Sequence, residues 1–310
     1  MEKEEKDLKN DMFEKLSKII KKENIYINEP MKKHTTFRVG GPADYFVLPT
    51  EVSQITNIIE LCKAEQIPYF ILGNGSNLLV SDKGYRGVVI QIYKNMNQIQ
   101  IDGCKIKAQA GVLLSQIAKK ALDAGLAGFE FASGIPGTLG GAAVMNAGAY
   151  GGEMKDVLTS VTVLDENGQM LHLEAKDLQL GYRTSIIKEK GYVVIEAELE
   201  LQVGDQTQIQ KRMEQLKVQR VTKQPLEYPS AGSTFKRPVG YFAGKLIQDA
   251  GLRGYRVGDA QVAEKHCGFV INRGEATAAE ITQLIKDVQK KVYEEFQVKL
   301  ETEVKFLGEF

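Results

Sequence analysis

The chain has 310 residues, of which 43% are hydrophobic, and its 40 Lys+Arg against 40 Asp+Glu give a formal net charge of +0. That length predicts two or three domains with ample apolar content for real cores. Balanced charge supplies no global field to recruit nucleic acid or an anionic membrane, and the longest apolar runs are strand-sized, far short of the ~20 residues of a membrane span.

The N-terminus, MEKEEKDLKNDMFEKLSKIIKKEN, is charged from its first residues, so no secretory signal is expected and a cytoplasmic location is. Leu8, Met12, Leu16 and Ile19 mark an amphipathic helix instead. Compact apolar strands follow at YFVLPT (45–50), YFILG (69–73) and GVVIQI (87–92). The segment IQIDGCKIKAQAG alternates on both sides of Asp102-Gly103, a dipeptide that favours a type I′ hairpin, and SVTVLDENGQMLHLEA repeats the device around Asn167-Gly168. YVVIEAELEL (192–201) alternates with its acidic residues facing out. Helices are predicted over residues 52–65 and 113–124, the second with Leu114, Ile117, Ala121 and Leu122 on one face. After Gly204 comes a polar helical connector. The last third has a helix from Phe242, a strand CGFVIN, and a long helix opened by the capping box Thr277-x-x-Glu280, with Ile281, Leu284, Ile285 and Val288 at helical spacing. The closing VKLETEVKFLG sets Val298, Leu300, Val304 and Phe306 on one face against Lys299, Glu301, Glu303 and Lys305. The whole reads as α+β, in three domains.

Three cysteines, Cys62, Cys104 and Cys267, are scattered without metal-ligand spacing and read as small hydrophobes of a reducing compartment. With only three histidines, none at HxxxH, no metal site is expected.

Two glycine-rich segments carry the first functional signal. GIPGTLGGAAVMNAGAYGG (134–152) has seven glycines in nineteen positions, yet Ile135, Pro136, Leu139, Val144 and Met145 argue against a linker. An ordered loop-and-turn bed, with amides suited to a phosphate, fits better. LGNGSNLLVSD (72–82) follows a strand directly, and its successive amides could form an anion nest; a tight loop with Asx and Ser turns suits the same string. Leu78 stands at the last position of GxGxxG and no GxxxxGK[ST] exists, which disfavours a Rossmann fold or a P-loop. Two such beds suggest one dinucleotide pyrophosphate held from two sides. In PSAGSTFKRP (229–238), Ser233 presents a hydroxyl beside Lys236 and Arg237, where a proton donor or a plain ST-turn would both fit. Arg183, in GYRTS (181–185), and Glu303 read by themselves as a solvated arginine and a solvent-facing carboxylate.

Taken in order, HTTFRVGGPAD (34–44), LGNGSNLL, GIPGTLGGAAVMNAGAYG, GYRTS, AGSTFKRP and LETEVKFLG (300–308) resemble the UDP-N-acetylenolpyruvoylglucosamine reductase family. The resemblance covers nearly everything except the N-terminal helix. It implies a two-subdomain FAD-binding region of the vanillyl-alcohol-oxidase-like (PCMH-type) kind plus an α+β substrate-binding domain. The corresponding expectations are a first FAD-binding subdomain over residues 1–90 with the N-terminal helix, a second over 91–222, a substrate-binding domain over 223–302, and a terminal strand end, 303–310, returning to the active site.

The resemblance also implies site residues. Arg183, Ser233 and Glu303 match the catalytic trio. The FAD-contacting positions are Gly73, Asn74, Gly75, Ser76, Asn77 and Leu78, together with Gly134, Ile135, Pro136, Gly137, Thr138, Gly140, Gly141, Asn146, Gly148 and Ala149. Tyr150, Lys223, Arg237 and Lys305 match substrate-contacting positions, and His266 falls near a phosphate-side position or is a satisfied structural histidine. The implied chemistry is NADPH-dependent reduction of UDP-N-acetylglucosamine enolpyruvate to UDP-N-acetylmuramic acid for peptidoglycan. Hydride passes from FAD N5 to the enolpyruvyl β-carbon, Arg183 and a protonated Glu303 meet the carboxylate end, and Ser233 protonates the α-carbon. Longer members of the family carry a tyrosine-bearing insertion that this compact sequence lacks, which resembles a short-form branch. Two alternatives differ in their expectations. An oxygen-using flavin oxidase of the same superfamily would not need NADPH, and a nucleotide-sugar binding protein would carry no yellow cofactor. No histidine lies in either glycine segment, so the FAD is expected to be non-covalent.

Overall fold

A computed structural model describes residues 11–310, so Leu8 of the expected N-terminal helix lies outside the described residues. The chain divides into two compact units, each assembled from separate stretches.

The first unit holds the described residues up to Ile27, Asp44–Asn74 and Gly87–Val218. Residues 11–17 are helical, and Met12 and Leu16 on this helix are buried. A four-stranded sheet runs in the order Ile25–Pro30, Pro42–Val47, Tyr85–Gln91, Tyr69–Leu72. Its last two strands are parallel, with Tyr69 opposite Val88. The helix Val52–Ala64 links the strand Pro42–Val47 to Tyr69–Leu72 and buries Ile55, Ile58, Ile59 and Cys62. Burial pushes the Cys62 thiol up to about 12, so at neutral pH it behaves as a small hydrophobe. A second sheet has five strands in the order Met170–Glu174, Leu158–Leu164, Val193–Glu200, Lys105–Gln109, Ile99–Asp102. The helix Leu114–Asp123 buries Leu114, Ile117, Ala118 and Ala121. One apolar core, including Leu16, Ile55, Ile90, Ile106, Phe129, Leu139, Val161 and Leu199, is shared by these elements.

Both expected hairpins form, but neither uses a type I′ turn. Asp102 pairs with Lys105, leaving Gly103-Cys104 as the loop, with positive φ only at Gly103, the pattern of a type II′ turn. The register sets Ile101 opposite Ile106, so cross-strand apolar pairing selects the loop rather than the Asp-Gly dipeptide. In the other hairpin Asp165 N–H donates to the Gln169 carbonyl and Gly168 has φ 75, a three-residue loop closed by a left-handed glycine. Asp165 Oδ1 accepts from the amides of Asn167 and Gln169, both at 2.8 Å, an Asx-type closure that favours the longer loop.

The second unit gathers Asn28–Ala43, Gly75–Arg86 and Gln219–Phe310. Its sheet runs Ser230–Ser233, Phe269–Asn272, Ala260–Val262, Arg256–Val257, antiparallel throughout. The helix Ala278–Phe296 begins with the expected Thr277/Glu280 capping box and buries Ala278, Ile281, Leu284, Ile285, Val288 and Val292. Asp82 supplements that cap, accepting from the amides of Ala278 at 2.8 Å and Ala279 at 2.9 Å, where a carboxylate also meets the positive end of the helix dipole.

The C-terminal segment departs from simple alternation. Phe235 bridges Thr302, the chain bends, and only Lys305–Leu307 forms a strand, parallel to Leu78–Val80. Changing partner slips the phase: Leu300, Val304 and Leu307 are buried while Phe306 is 38% exposed. Phe306 therefore does not share the buried face with Val304.

Candidate active site

In the first unit the residues 134–150 form a bed pinned by its own polar groups. Thr138 caps the helix Leu139–Met145, its Oγ1 accepting from Gly141 N–H. Leu139 N–H and Gly140 N–H donate to the carbonyls of Val112 and Ala110 at 2.8 and 2.9 Å. A Cβ added at Gly140 would stand 2.9 Å from the Ala110 Cβ, and one at Gly73 would stand 2.5 Å from Thr138 Oγ1. Asn74 Nδ2 donates to the Pro136 carbonyl at 2.7 Å, which ties the start of the first glycine segment to the second. Several glycines are therefore required by close protein packing. Gly141 is different: it is exposed, and the nearest atom to an added Cβ is Thr138 Oγ1 at 3.6 Å.

The bed ends in a hairpin in which Ala149 pairs with Gly152. Its central residues Tyr150 and Gly151 have φ 53 and 90, the type I′ signature. Tyrosine is a poor residue for that conformation, which hid this turn from the sequence.

Arg183 occupies a second constrained turn. Gly181 and Thr184 exchange both backbone hydrogen bonds, at 3.1 and 3.3 Å, and Arg183 at the loop tip has φ 58. For a non-glycine residue this conformation costs roughly 1–2 kcal/mol. The turn is held by its surroundings. Asn146 is fully buried and caps the bed helix in the left-handed conformation. Its Nδ2 donates to Gly181 O at 3.0 Å and to Glu153 Oε2 at 2.8 Å, and its Oδ1 accepts from Lys155 N–H at 2.9 Å. Ser185, also fully buried, donates to Val144 O at 2.7 Å and accepts from Lys188 N–H. Lys188 Nζ donates to Arg183 O at 3.0 Å. The guanidinium reaches Gly148 O at 3.5 Å and lies 5.1 Å from the Tyr182 ring centroid. Lys155 beside it, and more weakly Asn146 and Arg183, hold the Glu153 carboxyl below its ordinary value against the opposing effect of burial.

In the second unit Ser233 ends the strand Ser230–Ser233, opposite Phe269, at a register irregularity where Gly232 has φ 75; its side chain is exposed. Thr234 is fully buried and joins three segments. Its N–H donates to Gly268 O, its Oγ1 accepts from Val270 N–H at 3.0 Å, and its carbonyl accepts from Glu303 N–H at 2.8 Å. Asn77 Nδ2 donates to Glu303 O at 3.2 Å and Asn77 O accepts from Lys305 N–H at 3.0 Å. The backbones carrying Ser233, Glu303, Lys305 and Asn77 are thus tied together within this unit. Gly75, with φ 62, turns the loop against His34, whose carbonyl would lie 2.0 Å from an added Cβ. Leu78 is buried.

Some expected neighbours are engaged elsewhere. Lys236 pairs with Glu301 at 2.7 Å. Arg237 lies 4.6 Å from the Phe242 ring centroid. Lys223 is exposed at the end of the helix Gln206–Lys223. His266 Nδ1 accepts from Gly268 N–H at 3.1 Å and its ring packs edge-on to Phe269 at 5.0 Å; burial lowers its pKa. Sequence reasoning missed Thr234, Ser185 and Glu153, whose roles arise from contacts between distant segments.

Among the described residues no group of three or more His, Cys, Asp and Glu could hold a metal ion, and no helix is long and apolar enough to cross a membrane. A family model described as "FAD binding domain" matches residues 43–174, and one described as "UDP-N-acetylenolpyruvoylglucosamine reductase, C-terminal domain" matches residues 224–307. The curated reductase of that name from Agathobacter rectalis is 58% identical over 295 residues, covering 91% of this chain and 94% of the relative. The one from Clostridioides difficile is 54% identical over 299 residues, covering 96% and 98%. The crystal structure of UDP-N-acetylenolpyruvylglucosamine reductase from Thermus caldophilus superposes with a TM-score of 0.80 at 35% identity, covering 92% of this chain and 100% of that one. Near-full-length identity of this order, on a shared α+β fold, is decisive: the chain belongs to the UDP-N-acetylenolpyruvoylglucosamine reductase family.

Proposed function

We propose that the chain is a cytoplasmic, NADPH-dependent, FAD-containing reductase that converts UDP-N-acetylglucosamine enolpyruvate into UDP-N-acetylmuramic acid during peptidoglycan precursor synthesis. The observation that carries this reading is the 58% identity, over 295 residues, to a curated reductase of that family.

The glycine segments fit an anionic dinucleotide. Neither 73–78 nor 134–149 contains an acidic side chain or a histidine, and Gly134 and Gly141 are exposed. Gly73–Leu78 and the bed from Gly134 to Ala149 would hold FAD non-covalently, with backbone amides toward its phosphates. When bound, FAD supplies the hydride, taken from NADPH, that adds to the β-carbon of the enolpyruvyl double bond. Arg183 would offer a planar fork to the substrate carboxylate as negative charge develops there. Ser233, exposed at its strand end, would donate the proton to the α-carbon, completing addition of one hydride and one proton across the bond. Glu303, anchored through Thr234 and Asn77, would assist at the carboxylate. Tyr150, Lys223, Arg237 and Lys305 would contact the nucleotide sugar. In domain terms, residues 1–90 and 91–222 would form the two FAD-binding subdomains and 223–302 the substrate-binding region, to which 303–310 contributes Glu303 and Lys305.

Anaerobic stopped-flow spectroscopy tests the reading. NADPH should bleach the flavin, and UDP-N-acetylglucosamine enolpyruvate should then restore the yellow colour without oxygen. A colourless protein, a flavin that NADPH does not reduce, or recovery that requires oxygen would overturn it.

A further inference from the structure

Asn146 lies inside the glycine-rich bed, yet its side chain is turned wholly into the protein. It is 0% exposed, and both ends of its amide are engaged, by Gly181 O, Glu153 Oε2 and Lys155 N–H, at 2.8–3.0 Å. The bond to Gly181 is the informative one. Gly181 and Thr184 close the two-residue loop that carries Arg183, and Arg183 sits there at φ 58, a conformation that persists only when its surroundings enforce it. A buried hydrogen bond to one of the two closing residues is such a constraint.

We propose that Asn146 is a positioning residue for Arg183, locking the Gly181–Thr184 turn so that the guanidinium presents its fork to the substrate carboxylate. This rests on the carboxylate-binding role of Arg183 given above. Its buried side-chain amide acts on Arg183 through the turn. Glu153 and Lys155 complete the lock by fixing the orientation of the amide, since Nδ2 must face the carboxylate and Oδ1 the backbone N–H.

Two substitutions test this in the FAD-loaded enzyme. Asn146→Gly keeps the left-handed backbone available while removing every side-chain bond. Asn146→Asp keeps the acceptor for Lys155 N–H but has no donor for Gly181 O. Calorimetric titration compares UDP-N-acetylmuramic acid, which bears the carboxylate, with UDP-N-acetylglucosamine, which lacks it. Both variants should lose about tenfold in affinity for the acid and less than about twofold for the sugar. Combining either with Arg183→Lys should cost little beyond Arg183→Lys alone. Equal losses for both ligands, in whichever variant folds, or no loss for the acid, would overturn the proposal. If Arg183→Lys itself binds the acid normally, the assignment of Arg183 fails and this inference with it. If Arg183→Lys weakens the acid and the Asn146 variants do not, the inference alone fails.

Discussion

The turn bearing Arg183 and the strand end bearing Ser233 are built in opposite ways. Arg183 sits on a short loop whose shape is enforced by buried side chains, Asn146 reaching in to Gly181 O and Ser185 reaching out to Val144 O. Ser233 is held by backbone pairing, with Phe269 on one side and, through Thr234, Glu303 next to it. A loop defined by side chains can be loosened by one distant substitution. A strand end defined by main-chain bonds tolerates most side-chain changes and depends on the buried Thr234 side chain, whose Oγ1 accepts from Val270 N–H.

The largest expected effect tests the strand end directly. Ser233→Ala should leave NADPH-driven flavin reduction intact while slowing substrate-driven reoxidation by about 10²–10⁴-fold, the usual range for a lost proton donor. Substrate-driven reoxidation at the native rate in stopped flow would remove Ser233 from the mechanism. Next is Thr234→Val, which keeps the shape but leaves the Val270 N–H without its Oγ1 acceptor. It should cost about 1–3 kcal/mol in urea unfolding, and Thr234→Ser, which retains the oxygen, should recover most of this. Indistinguishable stability of all three proteins would mean that the strand end does not depend on this side chain. Ser185→Ala removes an N-cap and the bond to Val144, and a loss of about 1 kcal/mol is expected. It should also slow reoxidation more than reduction, because the loop of Arg183 is released; equal slowing of both half-reactions would contradict a loop held by side chains.

The smallest effect concerns pH. Burial lowers the folded-state pKa of His266, so between that value and the unfolded value of about 6.5 the unfolded chain binds the extra proton. Stability is therefore fully present above about 6.5 and falls as pH drops through the folded value. His266→Asn, whose side-chain oxygen can still accept from Gly268 N–H, should lose less stability than the native protein when thermal unfolding is compared at pH 7 and pH 5. Equal losses would show that another group dominates.

Local chemistry was readable wherever one segment supplied all the partners. The Thr277/Glu280 capping box and the buried stripe Ile281, Leu284, Ile285 and Val288 appear as expected, because a helix defines its own periodicity. Both glycine hairpins form at their expected places, but their turn types follow strand register. The C-terminal pattern fails at Phe306 because the chain changes partner from Phe235 to Leu78–Val80, and alternation assumes one partner throughout.

The sequence by itself determined the α+β class and the glycine segments and nominated the residues of the candidate site, since these rest on spacing and on motif order. Only the tertiary structure decided that Gly73 and Gly140 answer to Thr138 and Ala110, that Thr234 ties Glu303 beside the Ser233 strand, and that Asn146 holds the turn of Arg183. Those relations depend on hydrogen bonds and close packing between residues as far as 69 positions apart along the chain (Thr234 and Glu303), which no local pattern encodes.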